Sequence, residues 1–216
     1  MSLEQSHDMI EWFFEEEFIR PVNIENLTED NVKLVMGILP PRAKTNITKT
    51  LPFYLDNTYF RVPKSTKMKY AAMDAHELTH AFTDQHWPQI VAKGKNERER
   101  FMHRTLCEGL ALYVEATLAP EENQDARSKI MNLMSTNGRV DIDQIKKLLD
   151  ASESFVDNKR EPFMKYPYAI GALLVASQLE EAHDKYEAFD RLVGNMPPIG
   201  TWSELIDVET AKIYRK

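Results

Sequence analysis

The segment Ala75-His-Glu-Leu-Thr-His-Ala81 carries an HExxH pattern, which constrains this chain more than any other feature. On a helix, side chains four residues apart lie one turn apart on the same face. His76 and His80 can therefore hold one metal ion, with Glu77 beside them as a base for an activated water. A solvated polar helix face is the alternative. The neighbouring residues are apolar, which favours a buried helix whose His and Glu side chains need partners: Ala71, Ala72, Met73, Ala75, Leu78, Ala81 and Phe82.

The composition is that of an ordinary globular protein. With 216 residues, 43% of them hydrophobic and 28% charged, the chain is expected to form a single domain spanning residues 1–216. The net charge of -7 disfavours nucleic acid and anionic membranes as partners. No stretch of sequence is long and apolar enough for a membrane span.

Cysteine content and the first residues bear on the compartment and on the type of metal site. Cys107 is the only cysteine, which excludes an internal disulfide and a thiolate-rich zinc site. The N-terminal residues lack the pattern of a signal peptide, so the chain as given is expected to be cytoplasmic. If a signal has been removed ahead of Met1, a secreted or cell-envelope protein is expected instead.

Helical patterns dominate, so we expect an α+β fold that is mainly α. The one strong β signal is an apolar, aromatic run on each side of Asp56-Asn57, which predicts a hairpin over residues 51–62. A lone hairpin is marginally stable, so it should pack on helices or join another strand. Periodicity, capping residues and prolines predict helices over residues 5–19, 28–39, 65–86, 97–118, 123–135, 141–150, 163–182, 185–193 and 202–213.

A catalytic zinc usually has three protein ligands, and two residues compete for the third place. Glu108 lies on the predicted helix 97–118, where Gly109 would let that helix approach the HExxH helix closely. His86 almost completes an HExxHxxGxxH pattern, but Thr83 replaces the glycine that permits the turn. If the helix continues, His86 lies about 15 Å along the axis from His76, which is too far. If the helix instead turns after His80, His86 becomes the third ligand of a metzincin-type site, and this is the alternative.

Three segments together resemble small single-domain HExxH proteins that are similar to the catalytic core of thermolysin-like zinc peptidases, the gluzincins: His76–His86, Glu108-Gly-Leu-Ala111 and Tyr166-Pro-Tyr-Ala-Ile-Gly171. The resemblance covers roughly residues 51–200 and implies a zincin-like core. It implies His76, His80 and Glu108 as ligands of Zn²⁺, Glu77 as general base, and the hairpin as the edge strand along the cleft. The family's usual Asp, one turn after the Glu ligand, is replaced here by Leu112, so Glu115 or Asp84 is expected to orient a His ligand.

The predicted function is a zinc-dependent peptidase acting on a peptide or protein substrate. Tyr168 is the first candidate for stabilising the oxyanion, followed by Tyr166 and His183. A zinc-binding scaffold without catalysis and a metalloenzyme acting on a non-peptide substrate are the competing hypotheses.

Overall fold

The computed structural model of the protein describes residues 3–28, 53–61, 70–92, 94–120, 135–136, 139–140 and 165–207, together with 143, 147 and 210. Within these ranges the fold is α+β and mainly helical, as the sequence predicts. The helices are α1 (Leu3–Phe14), α2 (Tyr70–His86), α3 (Pro88–Val91), α4 (Glu97–Leu118), α5 (Lys165–Leu179), α6 (Lys185–Gly194) and α7 (Trp202–Leu205), with a 3₁₀ turn at Ile199–Thr201. The strands are β1 (Asn23–Asn26), β2 (Phe53–Leu55), β3 (Thr58–Arg61), β4 (Ser135–Thr136) and β5 (Arg139–Val140).

The predicted hairpin is confirmed as β2 and β3, which pair antiparallel. Asp56 and Asn57 have φ values of 46° and 57°, as a two-residue turn of the primed type requires. The hairpin joins another strand, because β1 pairs with β3 in parallel, with Ile24 opposite Tyr59. The sheet order is β1-β3-β2, so β2 is an edge strand among the described residues. The sequence did not predict β1, whose four residues are all exposed and therefore carry no apolar alternation.

Helix α4 agrees with its prediction at both ends, because its boundaries are encoded locally. The Asn96 side chain accepts a hydrogen bond from the Glu99 backbone N–H at 2.8 Å, which satisfies one of the unpaired amides of the first turn. Helix α1 ends at Phe14, five residues before the predicted end. Glu15, at φ 55°, leaves the helical conformation, and a run of glutamates opposes the negative end of the helix dipole.

The remaining boundaries are described only in part. Helix α2 is described from Tyr70, α5 covers 165–179 of the predicted 163–182, and α7 ends at Leu205 rather than 213. The predicted helix 28–39 lies outside the described residues beyond Thr28, and 141–150 lies outside them apart from two isolated positions. Most of the predicted helix 123–135 is also outside, but its last residue, Ser135, is in β4 and not in a helix.

Helix α4 packs against both α2 and α5 and carries the core between them. Every side chain from 169 to 176 of α5 is buried, as expected for a helix that is apolar on all sides. The α4–α5 crossing depends on Gly109 and Gly171: a Cβ on Gly171 would lie 2.0 Å from the Thr105 carbonyl oxygen. The expectation that Gly109 faces the HExxH helix is therefore wrong, since Gly109 meets Gly171 of α5. In the described part of the chain, no helix has the length and apolar character needed to cross a bilayer.

Candidate metal centre

The sequence-predicted ligands His76, His80 and Glu108 lie together where α2 packs on α4. The Nε2 atoms of the two imidazoles are 3.2 Å apart. Glu108 Oε2 lies 3.6 Å from the Nε2 of His76 and 3.5 Å from the Nε2 of His80. All three side chains are only slightly exposed, at 15%, 21% and 14% for His76, His80 and Glu108. Three potential ligand atoms therefore converge on one point at the edge of the core.

The spacing of these atoms fits a zinc ion. A tetrahedral ion with bonds of about 2.0–2.1 Å holds its ligand atoms roughly 3.3 Å apart, and the three observed separations bracket that value closely. Glu108 Oε2 is buried, and no residue in the described ranges donates a hydrogen bond to it. A buried carboxylate oxygen without a donor is costly, and a cation between the three atoms would satisfy it. The donor set of two imidazoles and one carboxylate, without a thiolate, is typical of a catalytic zinc site that keeps one position open.

Glu115 orients His76. Its Oε2 lies 3.0 Å from His76 Nδ1, and the carboxylate is buried with 6% of the side chain exposed. An Nδ1–H that donates to this carboxylate leaves the Nε2 lone pair directed at the centre, as carboxylate–histidine pairs do in zinc proteins. Of the two candidates for this role, the structure places Glu115 at His76, one of the predicted ligands. Asp84 lies elsewhere and accepts a hydrogen bond from the Tyr54 hydroxyl at 2.7 Å.

Glu77, the predicted base, lies beside the ligands and is held by the edge strand. The backbone N–H of Tyr54 in β2 donates to Glu77 Oε2 at 2.9 Å. The Tyr54 hydroxyl contacts Asp84, seven residues further along α2, so one residue spans two turns of the helix. Burial raises the pKa of Glu77 above its usual value, although the two histidines and the Tyr54 N–H oppose the shift. A raised pKa brings a carboxyl closer to the range in which it exchanges protons near neutral pH.

The metal-free centre is a tightly coupled charge pair. Burial by itself would lower the pKa of His76, but the carboxylates of Glu108 and Glu115 outweigh it and hold that pKa well above 6.5. Burial would raise the pKa of Glu108, yet the close imidazoles of His76 and His80 hold it well below its usual range. Without metal, an imidazolium therefore faces a carboxylate, and a divalent ion would take the place of the proton.

His86 does not belong to the centre. Helix α2 continues through Thr83 to His86, so the turn that an HExxHxxGxxH site needs does not form. The His86 ring stacks on Phe82, its Nε2 lies 2.9 Å from the Glu17 carbonyl oxygen, and its Nδ1 lies 3.4 Å from the Tyr186 hydroxyl. His86 instead joins the end of α2 to α6 and to the chain that follows α1.

The candidates for the oxyanion role are placed only in part. Tyr166 and Tyr168 belong to the first turn of α5, but their side chains lie outside the described residues. Tyr168 precedes Gly171 by three residues, and Gly171 contacts the turn of α4 that bears Glu108. His183 is exposed in the connection between α5 and α6.

Two residues near the centre were not among those predicted from the sequence. Arg104 Nε lies 3.8 Å from Glu108 Oε1 and could have been noticed, because Arg104 is four residues before Glu108 on one helix face. Tyr54 carried no signal, since its role depends on how the hairpin docks on α2. A second group of possible ligand atoms, from His7, Asp8 and Glu11, lies on the outer face of α1. It contains no buried orphan atom and reads as a surface cluster.

The chain matches no protein-family model, no curated protein and no solved structure. The geometry of the centre therefore carries the functional argument by itself.

Proposed function

We propose that the protein is a zinc-dependent peptidase with a zincin-like core, in which His76, His80 and Glu108 hold the ion and Glu77 is the general base. The observation that carries the proposal is the convergence of the three ligand atoms, 3.2–3.6 Å apart, next to a partly buried glutamate that is not among them. A purely structural zinc site would need a fourth protein ligand and would have no use for a base.

The chain's own residues divide the chemistry among them. A bound zinc ion supplies Lewis acidity, which acidifies water and polarises a carbonyl group. Glu77 takes the proton of the attacking water as the new carbon–oxygen bond forms. It then delivers that proton to the amine as the carbon–nitrogen bond breaks. Glu115 fixes the tautomer of His76, and Tyr54 fixes the carboxylate of Glu77.

The edge strand supports a peptide as the substrate. The N–H of Tyr54 points from β2 to Glu77, so the outer edge of the sheet runs directly past the proposed base. An extended peptide that lies alongside this edge would present its own backbone to the centre. Tyr168 remains our candidate for the second oxyanion donor, because it precedes by three residues Gly171, which contacts the α4 turn that bears Glu108.

The test compares Glu77→Gln with wild type in a peptide-library cleavage assay, with zinc content measured on each sample. Gln is nearly isosteric but cannot accept the proton, so hydrolysis should fall by about 10²-fold or more while zinc binding is retained. Glu181→Gln, at an exposed turn, is the matched control and should behave as wild type.

The other outcomes separate the competing functions. An active wild type with an equally active Glu77→Gln variant would remove Glu77 from its role. A zinc-loaded wild type that cleaves no peptide would favour the scaffold or an enzyme of another substrate class. Absence of zinc from carefully purified protein, with no uptake on addition, would contradict the metal site itself.

A further inference from the structure

Arg104 places a positive charge between the metal ligands and solvent. It lies one turn before Glu108 on α4, and its Nε is 3.8 Å from Glu108 Oε1. The Arg104 side chain is 41% exposed, whereas Glu108 is 14% exposed. The carboxylate of Glu108 thus directs Oε2 to the histidines and Oε1 to the guanidinium.

The contact with Glu108 does not use the binding capacity of Arg104. A distance of 3.8 Å is too long for a hydrogen bond. Ion pairs at this helical spacing contribute only a few tenths of a kcal/mol to stability. A guanidinium carries five N–H donors in a planar fork, and in the described ranges the Arg104 side chain donates no hydrogen bond to another residue. Among the described residues, none competes with a ligand at the centre for these donors.

The donor geometry of Arg104 favours an anionic group as that ligand. Arginine recognises carboxylates through two parallel hydrogen bonds, which makes a carboxylate a better match than a neutral amide.

The distance sets where that carboxylate lies on a substrate. The path from the guanidinium to the ion has three parts: 3.8 Å from Arg104 Nε to Glu108 Oε1, the width of the carboxylate, and one zinc–oxygen bond. Together they place the guanidinium within roughly 8 Å of the ion. An extended peptide advances about 3.3–3.6 Å per residue, so the reach corresponds to about two residues. We propose that Arg104 binds a substrate carboxylate within about two residues of the cleaved bond and gives the enzyme a preference for substrates that carry a carboxylate there. This inference rests on the proposed peptidase function. The carboxylate belongs either to an acidic side chain or to the C-terminus of the peptide.

The test uses dipeptides acylated at the N-terminus with malonic acid monohydroxamate, whose hydroxamate group binds zinc at the position of the cleaved bond. Three such ligands differ only in the second residue: a glutamate amide, a glutamine amide, and glutamine with a free C-terminal carboxylate. Calorimetry on the zinc-loaded protein gives the affinity ratio of each acid to the neutral ligand. We expect one of the acids to bind about tenfold or more tightly than the glutamine amide, because a charge-assisted hydrogen bond is gained. The acid that shows the gain identifies the source of the carboxylate.

The variants decide the role of Arg104. Arg104→Gln should reduce the acid-to-amide ratio to about one, and Arg104→Lys should keep part of it, since the charge remains but the fork is lost. The control is Arg191→Gln, which removes an exposed arginine from a comparable pair with Glu187 and should leave the ratio unchanged.

The failures are distinguishable. If no hydroxamate binds the zinc-loaded wild type, both the proposed function and this inference fail. If the hydroxamates bind but their ratio is the same in Arg104→Gln, the inference fails and the zinc site stands. If Arg104→Gln loses zinc, Arg104 acts through Glu108 as a structural partner, and the inference is overturned.

Discussion

Replacing Glu115 tests whether the contact with His76 contributes to metal binding. Glu115→Gln keeps the shape and an acceptor oxygen for His76 Nδ1–H but removes the negative charge, in a site where only 6% of the side chain is exposed. The hydrogen bond of 3.0 Å thereby changes from a charge-assisted bond to a neutral one. Loss of an outer partner of a ligating histidine typically reduces metal affinity by 10- to 100-fold. We expect about tenfold for Gln, or ~1.4 kcal/mol, and a larger loss for Glu115→Leu, which removes the acceptor.

Competition between zinc and a proton for His76 determines how the loss of zinc affinity in Glu115→Gln depends on pH. Burial would lower the pKa of His76, but Glu108 and Glu115 raise it, so at neutral pH zinc must displace a proton from the wild-type site. Removing the charge of Glu115 lowers the pKa of His76 and weakens this competition. The loss of zinc affinity in Glu115→Gln, relative to wild type, should therefore reach its full size above the pKa of His76 and be smaller below that pKa.

Titration of zinc against a chelator of known affinity at pH 6.5 and at pH 9 measures both effects. The matched control is Glu180→Gln, another partly buried glutamate, which accepts a hydrogen bond from the Tyr113 hydroxyl and lies outside the ligand set. Zinc affinity of Glu115→Gln within threefold of wild type at both pH values would refute the argument that Glu115 supports the ligand.

Three further predictions follow from the packing and the charges. Gly171→Ala should lower the free energy of unfolding in urea by about 3 kcal/mol or more, because its Cβ would lie 2.0 Å from a main-chain oxygen of α4. Gly194→Ala, with no atom within 4 Å of the added Cβ, should leave it nearly unchanged, and equal effects would contradict the close helix contact. Glu108→Ala should weaken zinc binding far more than His86→Ala in the same chelator titration, and the reverse order would disprove the ligand set. The pKa of His76 is raised in the folded state, so protonated His76 stabilises the metal-free protein. This stabilisation is complete below the unfolded pKa of about 6.5 and is lost as pH rises through the folded pKa. Urea unfolding of metal-free wild type should show this loss, and His76→Asn should not.

The parts of the site that depend on local periodicity were predictable from the sequence. His76 and His80 share a face because four residues make about one helical turn, wherever the helix lies. The end of α4 followed from Pro120, and its start is fixed just as locally by the Asn96 side chain, which caps the first turn. The Asp56-Asn57 turn specified the hairpin for the same reason.

Contacts between distant segments were not predictable in the same way. Asp84 and Glu115 were equally good partners for a ligand until the packing of α4 on α2 brought Glu115 to His76. The role of Tyr54 depends on the hairpin docking beside Glu77, and β1 pairs with β3 across more than thirty residues although its own sequence is polar.

Gly109 shows most clearly where prediction from the sequence stops. Its lack of a side chain indicated a close helix contact, and a close contact exists, but the partner is Gly171 on α5 and not the HExxH helix. The sequence by itself determined which residue types could bind a metal and which of them share a helix face. Tertiary packing decided the rest, because the direction in which a helix face points depends on where the remaining elements bury their apolar surface.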